Sequence, residues 1–555
     1  MTHRAIRASL AGAIGVLALG AAVHMRAQNA VDPCVGAGDL RLVNGRIHTM
    51  DARDSVASEV TIQDGRVVAL NKPPGRLGPC TREINLRGRT AIPGIVDNHN
   101  HIVLLGIRPG HDTRLETAAS IADVQARLRE RAKGVPAGQF LTAMGGWNPA
   151  QFKENRLPTL AELDAAAPNH PVLVYLSFTG PAATNTPGRA FFAGRGVAVS
   201  DTGAIAANAP SLAALNALRA VQTLEDQKRG TLDAANYAAR VGVTTHVDMG
   251  AFIPPDAKDV KDTFAADTLA TAHPHRMYDA ITALHRERRL PVRVRIFFLT
   301  MDNTPEMPNL RARLLNTFRG FGDDTMRLSG VGEFATSWPL FGQPAPAHYT
   351  QALEFIARQG WPYQQHSLSP KEDALIINGF EAVNKIVPIE PLRWSIAHAP
   401  QIDAATIARF KAIGAGIAIH PFTYLAGGKN AGPPVRTILE SGVRAGAGSD
   451  SAQISTLNPW PLLYYMVTGR NAAGTLINDG QQISRAQALR LYTANNGWFF
   501  NEDNAVGTLE PGRLGDVVVL SEDYFDTAKV PDEAIKAIRA MLTVVGGRVV
   551  HDELK

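Results

Sequence analysis

The sequence predicts an α/β protein, a TIM-type (β/α)8 barrel with a discontinuous β-sandwich domain formed by both chain ends. Short β-rich segments recur, most of them followed by a helical pattern, which is the grammar of a parallel sheet. Seven of eight such segments carry a His, Asp or Glu at or just after the carboxyl end, the face on which barrel active sites assemble. Alternating apolar and polar stretches with tight-turn pairs stand near both termini, where they pair into hairpins.

The chain has 555 residues, 45% hydrophobic and 19% charged, enough apolar material for a large core. This excludes a small disulfide scaffold, a collagen-like repeat and a disordered chain. Arg4, Arg7 and Arg26 supply three of the formal +5 charges within the first 28 residues, which hold no acid, so the remainder is close to neutral at +2. No later block gathers Lys and Arg or interleaves them with aromatics, so neither nucleic acid nor a membrane surface is expected as partner. A small-molecule substrate is, and a homo-oligomer stays open. Residues 1–28 read as a signal peptide: a short basic start, an apolar run from Ala8 to Val23, then small and polar residues. The run is too short for a membrane span, so no stable membrane insertion is expected after cleavage. The expected location is the periplasm, or the exterior of the cell.

Residues 29–90 and 500–555 are assigned to the sandwich. The early segments Asp39-Leu-Arg-Leu-Val-Asn-Gly-Arg-Ile-His48 and Glu59-Val-Thr-Ile-Gln-Asp-Gly-Arg-Val-Val-Ala69 have late counterparts in Gly515-Asp-Val-Val-Val-Leu520 and Leu542-Thr-Val-Val-Gly-Gly-Arg-Val-Val550. Cys34 and Cys80, the only cysteines, flank the early part, and an oxidising compartment favours their pairing over two free thiols.

Residues 91–499 are assigned to the barrel, with strands at 91–97, 243–249, 292–299, 328–334, 362–366, 393–398, 415–420 and 444–450. The gap between the first two is too long for one crossover, so an insertion at about 106–240 is expected, with loops roofing the barrel mouth.

His99-Asn-His101 closes the first strand, and residues two apart on an extended chain can reach one cation together. His366, His398 and Asp450 end later strands at barrel spacing, a donor set suited to one or two divalent ions, Zn2+ ahead of Mn, Fe or Co. Each residue alone has a plain structural reading, a hydrogen-bonded core His or a capping Asp. Pocket-lining roles are assigned more loosely to His246, Asp248, His420, Trp147, Phe152, Trp338 and Trp460.

Several motifs together resemble the amidohydrolase superfamily, in particular amidohydrolase family 3 (the YtcJ-like branch). They are Ile92-Pro-Gly-Ile-Val-Asp-Asn-His-Asn-His101, Leu157-Pro-Thr-Leu-Ala-Glu-Leu-Asp-Ala-Ala-Ala-Pro168, Gly242-Val-Thr-Thr245, Leu290-Pro-Val-Arg-Val-Arg295, Gly448-Ser-Asp450 and Gly507-Thr-Leu-Glu-Pro-Gly-Arg-Leu-Gly-Asp516. The resemblance implies a distorted TIM barrel, one or two divalent metals and hydrolysis of C–N bonds. It implies that His99 and His101 hold the more buried ion, that His366 and His398 hold a second, and that Asp450 touches the first and acts as general base. Two departures stand out. Where the branch commonly has Lys-Leu-Phe-Ala-Asp-Gly, this chain reads Gly332-Glu-Phe-Ala-Thr-Ser337, so Glu333 either bridges two metals or, with Gly332 as the aligned position, only supports the site. Gly180 occupies a position where relatives often have His, which argues for a substrate outside the commonest type.

The expected function is an exported metal-dependent amidohydrolase acting on an amide-type C–N bond of a small organic molecule. The same scaffold also serves ester or carbamate hydrolysis, deamination and decarboxylation, and a catalytically dead ligand-binding barrel is the alternative from another class.

Overall fold

The computed structural model describes residue 34 and residues 39–72, 77–252, 268–337, 346–426, 432–451 and 453–554. The segment read as a signal peptide and Trp338 lie outside them. Eight parallel strands form one sheet in chain order: Ile95–Asn100, Val243–Asp248, Arg293–Phe298, Met326–Glu333, Tyr363–Ser367, Ser395–His398, Gly416–Ile419 and Arg444–Ala447. All eight fall on the expected segments, within a few residues. Their near-continuous burial is what a sheet covered by helices outside and filled within requires.

The first expected segment is really two strands. Thr90–Pro93 pairs antiparallel with Val517–Leu520 in another sheet, and the barrel begins only at Ile95. Gly94 is the crossing point, where a Cβ would lie 2.1 Å from Thr244 Oγ1. Only glycine allows the chain to pass this close to the second barrel strand.

The first and eighth strands do not share a ladder, and side chains close the seam between them. Ser449 Oγ and its backbone N–H both donate to the Asp97 carboxylate, at 2.5 and 2.8 Å. Asn496 donates to the carbonyls of Val96 and Ala447, at 2.5 and 2.7 Å, and accepts from the Ala447 N–H at 3.1 Å. Asp450 N–H donates to His99 O at 2.8 Å. These bonds replace the ladder that a fully closed barrel would have.

Strands from both chain ends build two further sheets. One runs Arg548–Asp552, Ala540–Val545, Val517–Leu520, Thr90–Pro93, Arg46–His48 and Val56–Ala57; the other runs Arg66–Leu70, Val60–Gln63, Leu40–Val43 and Arg82–Asn85. They share one apolar core, including Leu42, Ile62, Val67, Val519 and Val544. Arg293 of the third barrel strand makes a buried two-pronged ion pair with Asp516, both contacts at 2.8 Å, and so fixes this unit to the barrel. Cys34 and Cys80 are joined by a disulfide with their Cα atoms 5.0 Å apart.

Between the first two barrel strands, a five-stranded sheet from His111–Asp112 to Ala204–Ile205 carries apolar cores of its own. Its helices start where the sequence supplies caps. Thr159 caps Leu160–Ala166 and Glu162 returns the bond, and Asn185 caps Thr186–Ala193. No helix among the described residues is long and apolar enough to cross a membrane.

Candidate metal centre and chamber

Six buried residues converge at the carboxyl ends of the barrel strands: His99, His101, Glu333, His366, His398 and Asp450. Glu333 stands in the middle. Its Oε2 is 2.7 Å from His366 Nδ1, 3.2 Å from His398 Nε2 and 3.7 Å from His99 Nε2, and its Oε1 is 3.6 Å from His101 Nε2. Asp450 Oδ1 lies 3.4 Å from His101 Nε2 and 3.7 Å from His99 Nε2. Both His398 and Asp450 have positive φ, 67° and 51°, a sparsely populated backbone state that aims their side chains inward.

The arrangement fits divalent ions by its donors. Ligand atoms around one tetrahedral zinc stand roughly 3.4 Å apart, which the His101–Asp450 separation matches and the other His99 and His101 separations approach. His99 Nε2 is buried, has no hydrogen-bond partner and faces two carboxylates. Among the described residues the donor atoms form three overlapping compact groups, each within 4.8 Å: His99, His101 and Asp450; Glu333, His366 and His398; and His99, His398 and His420.

The outer nitrogens set the tautomers. His99 Nδ1 is hydrogen-bonded to Gln364 Oε1, and His101 Nδ1 to Gly250 O at 2.7 Å. A carbonyl only accepts, so His101 Nδ1 carries the proton and its Nε2 offers a lone pair to the centre; Gln364, through its oxygen, does the same for His99. For His398 that partner is His420, whose Nδ1 lies 2.7 Å from His398 Nδ1 and also accepts the His398 backbone N–H at 3.1 Å.

Charge follows this crowding. Burial, helped by the field of His398, pushes the His99 imidazole down to about 3, the neutral form a ligand needs. Burial also opposes charge on His101, but its bond to Asp450 and the field of Glu333 lift it to about 9, so without an ion its Nε2 holds a proton that a bound ion would displace. Burial favours neutral carboxyls at Glu333 and Asp450, yet the surrounding imidazoles hold both below the usual range, His366 foremost for Glu333 and His398 for Asp450. Asp97, buried behind the centre, is pushed up to about 6.

A chamber of about 150 Å3 opens onto His101, Glu333, His366 and Asp450. Its other described walls are Leu104, Phe178, Ala251, Phe252, Ala270, Leu368, Phe422, Gln453 and Ile454. His246 and His420 are not among them. His246 is fully buried against Asn100, at 2.8 Å, and burial holds it neutral, down to about 3. Asp248 accepts the backbone N–H groups of Val103 and Gly250, at 3.0 and 3.1 Å, a structural task. Trp147 stacks on Phe152 and Trp460 packs on Tyr524, both away from the chamber. Sequence reasoning missed Asp97 and Gln364. Each stands two residues before a ligand candidate on the same strand, and that period-two spacing marks a shared face.

A family model described as "Amidohydrolase family" matches residues 82–551. The N-substituted formamide deformylase of Arthrobacter pascens is 21% identical over 92% of this chain and 97% of its own. Among solved structures, an uncharacterized metal-dependent hydrolase from Pyrococcus horikoshii superposes with a TM-score of 0.58 at 18% identity, covering 88% of this chain and 98% of that one. Atrazine chlorohydrolase from Arthrobacter aurescens, complexed with zinc, superposes with a TM-score of 0.52 at 16% identity, covering 93% and 95%.

Proposed function

Because the chain belongs to the amidohydrolase family, we propose that it is an exported, metal-dependent amidohydrolase that cleaves an amide-type C–N bond of a small organic molecule. The observation that carries this reading is the convergence of four imidazoles and two carboxylates beside a largely apolar chamber. His99, His101 and Asp450 would hold one ion, His366 and His398 a second, and Glu333 would reach both. Bound there, an ion, with Zn2+ favoured by the mixed imidazole and carboxylate donors, would supply Lewis acidity toward water and the substrate carbonyl.

Asp450 is the general base. Its carboxylate is held ionised by the imidazoles around it and lines the chamber, so it can take a proton from the attacking water. As the oxygen–carbon bond forms and the C–N bond breaks, the same proton passes to the leaving nitrogen, giving an acid and an amine. Gln364, Gly250 O and His420 keep the imidazoles in place while this happens. The near-full-length likeness to a formamide deformylase supports C–N chemistry. Export is supported by the Cys34–Cys80 disulfide, a bond kept in oxidising compartments.

The test is metal content per chain after exhaustive dialysis against metal-free buffer, followed by a panel of amides, esters and aminoheterocycles. Two equivalents and amide turnover are expected, with Glu333 between the ions. One equivalent demotes Glu333 to support, and none, even after reloading with Zn2+ or Mn2+, overturns the reading in favour of a ligand-binding barrel.

A further inference from the structure

We propose that Gln453 determines specificity: its side-chain oxygen accepts the N–H of an uncharged, N-monosubstituted amide whose apolar substituent fills the chamber. This rests on the reading of the centre as an amide hydrolase. Apart from the residues of the centre, the described lining is largely apolar, with Phe178, Phe252, Leu368, Phe422 and Ile454 in it, and no Lys or Arg is among the described lining residues. A charged substituent would lose its water there and gain no partner. Gln453 is the one polar side chain of that lining outside the centre, and it is only 5% exposed.

Its orientation is fixed. The side-chain Nε2 donates to Leu269 O at 2.9 Å, and because a carbonyl cannot donate, the remaining atom is the oxygen. The loop that carries it is tied down by Gly146 N–H to Gln453 O at 3.1 Å. Gln453 Oε1 is left buried without a hydrogen-bond partner. A buried acceptor of this kind is costly empty and selective when filled. A trans amide carries its N–H on the side opposite its C=O. A substrate whose carbonyl faces the centre therefore has its N–H free for an acceptor elsewhere on the wall, and an N,N-disubstituted amide has nothing to offer it.

The experiment uses the zinc-loaded full chain and three matched sets built on formic, acetic and butyric acid: N-benzyl amides, their N-methyl-N-benzyl counterparts and their 4-carboxybenzyl counterparts. We expect kcat/KM to favour the neutral N–H amides over the N-methyl forms by about tenfold, the worth of one hydrogen bond in a dry site. Gln453→Met should bring that ratio toward one, and the carboxylates should be slow throughout. An unchanged ratio, an equal loss on both amide types, or a preference for the carboxylates overturns the inference. If none of the compounds is hydrolysed, the amidase reading fails, and calorimetric titration of the same compounds decides the inference separately. A secondary-amide preference in binding that Gln453→Met abolishes sustains it, and no binding or no preference overturns it.

Discussion

His398 and His420 face each other through their Nδ1 atoms at 2.7 Å, while His420 Nδ1 also accepts the backbone N–H of His398. Since that nitrogen of His420 is an acceptor, His398 carries its ring proton on Nδ1 and turns a bare Nε2 toward Glu333 and His366. A residue that does not line the chamber thus orients the lone pair of one that would hold an ion. His420→Leu is expected to weaken the second ion by about 10–100-fold, and His420→Asn, which keeps an acceptor, to recover part of it. Chelator competition with Zn2+ reads both, and equal affinity in wild type and His420→Leu would reduce His420 to packing.

Asp450→Asn keeps an oxygen donor and loses the basic one. Turnover should fall by about 10²–10⁴-fold while zinc content stays near the wild-type value. Single-turnover rates beside elemental analysis make the comparison, and substantial residual activity removes Asp450 as the base.

Asn496 satisfies Val96 O, Ala447 O and Ala447 N at once. Asn496→Leu leaves three buried backbone groups unpaired, and a loss of about 3 kcal/mol or more is expected in denaturant unfolding. The same variant should bind zinc more weakly, because the seam it opens carries His99 on one side and Asp450 on the other. Wild-type zinc affinity in a destabilised variant would show that the seam and the centre are independent.

Glu162 offers a pH signature far from the centre. Two bonds from Arg156, at 2.7 and 2.8 Å, and one from Thr159 N–H hold its carboxyl at about 2, against an ordinary 4.5. A depressed folded pKa gives stability that is complete above about pH 4.5 and lost as the pH falls toward 2. With Arg156 partly solvent-screened, Glu162→Gln should cost only about 1 kcal/mol at pH 7. The gap between the two melting curves should narrow steadily below pH 4.5, and a gap independent of pH would refute the assignment.

The barrel was legible because each strand is a short buried run with polar residues at one end, and such a run has few other uses. The ligand candidates were legible for the same reason, since a His at the end of an apolar strand interrupts a strong pattern. What stayed hidden depends on partners rather than periods. The strand expected over 91–97 splits because of a close approach between Gly94 and Thr244, residues that no local pattern connects. For His246 and His420, a strand-end position does not reveal whether a side chain reaches the chamber or turns to a neighbour, here Asn100 and His398. Gln453 lies in a loop, where composition alone gives an amide side chain no direction.

The bond between Asp97 and Ser449 spans a sequence separation of 352 residues. Synthesis runs from the amino terminus, so His99 and His101 leave the ribosome long before Asp450 exists to complete their set. A nascent chain can present two imidazoles to a passing ion but cannot cage it. Retention of an ion held by His99, His101 and Asp450 would begin only when the last strand docks against the first, which would make uptake at that group a checkpoint on completed assembly. A chain truncated between His398 and Asp450 keeps five of the six donor residues and still lacks the one that completes the group around His99 and His101.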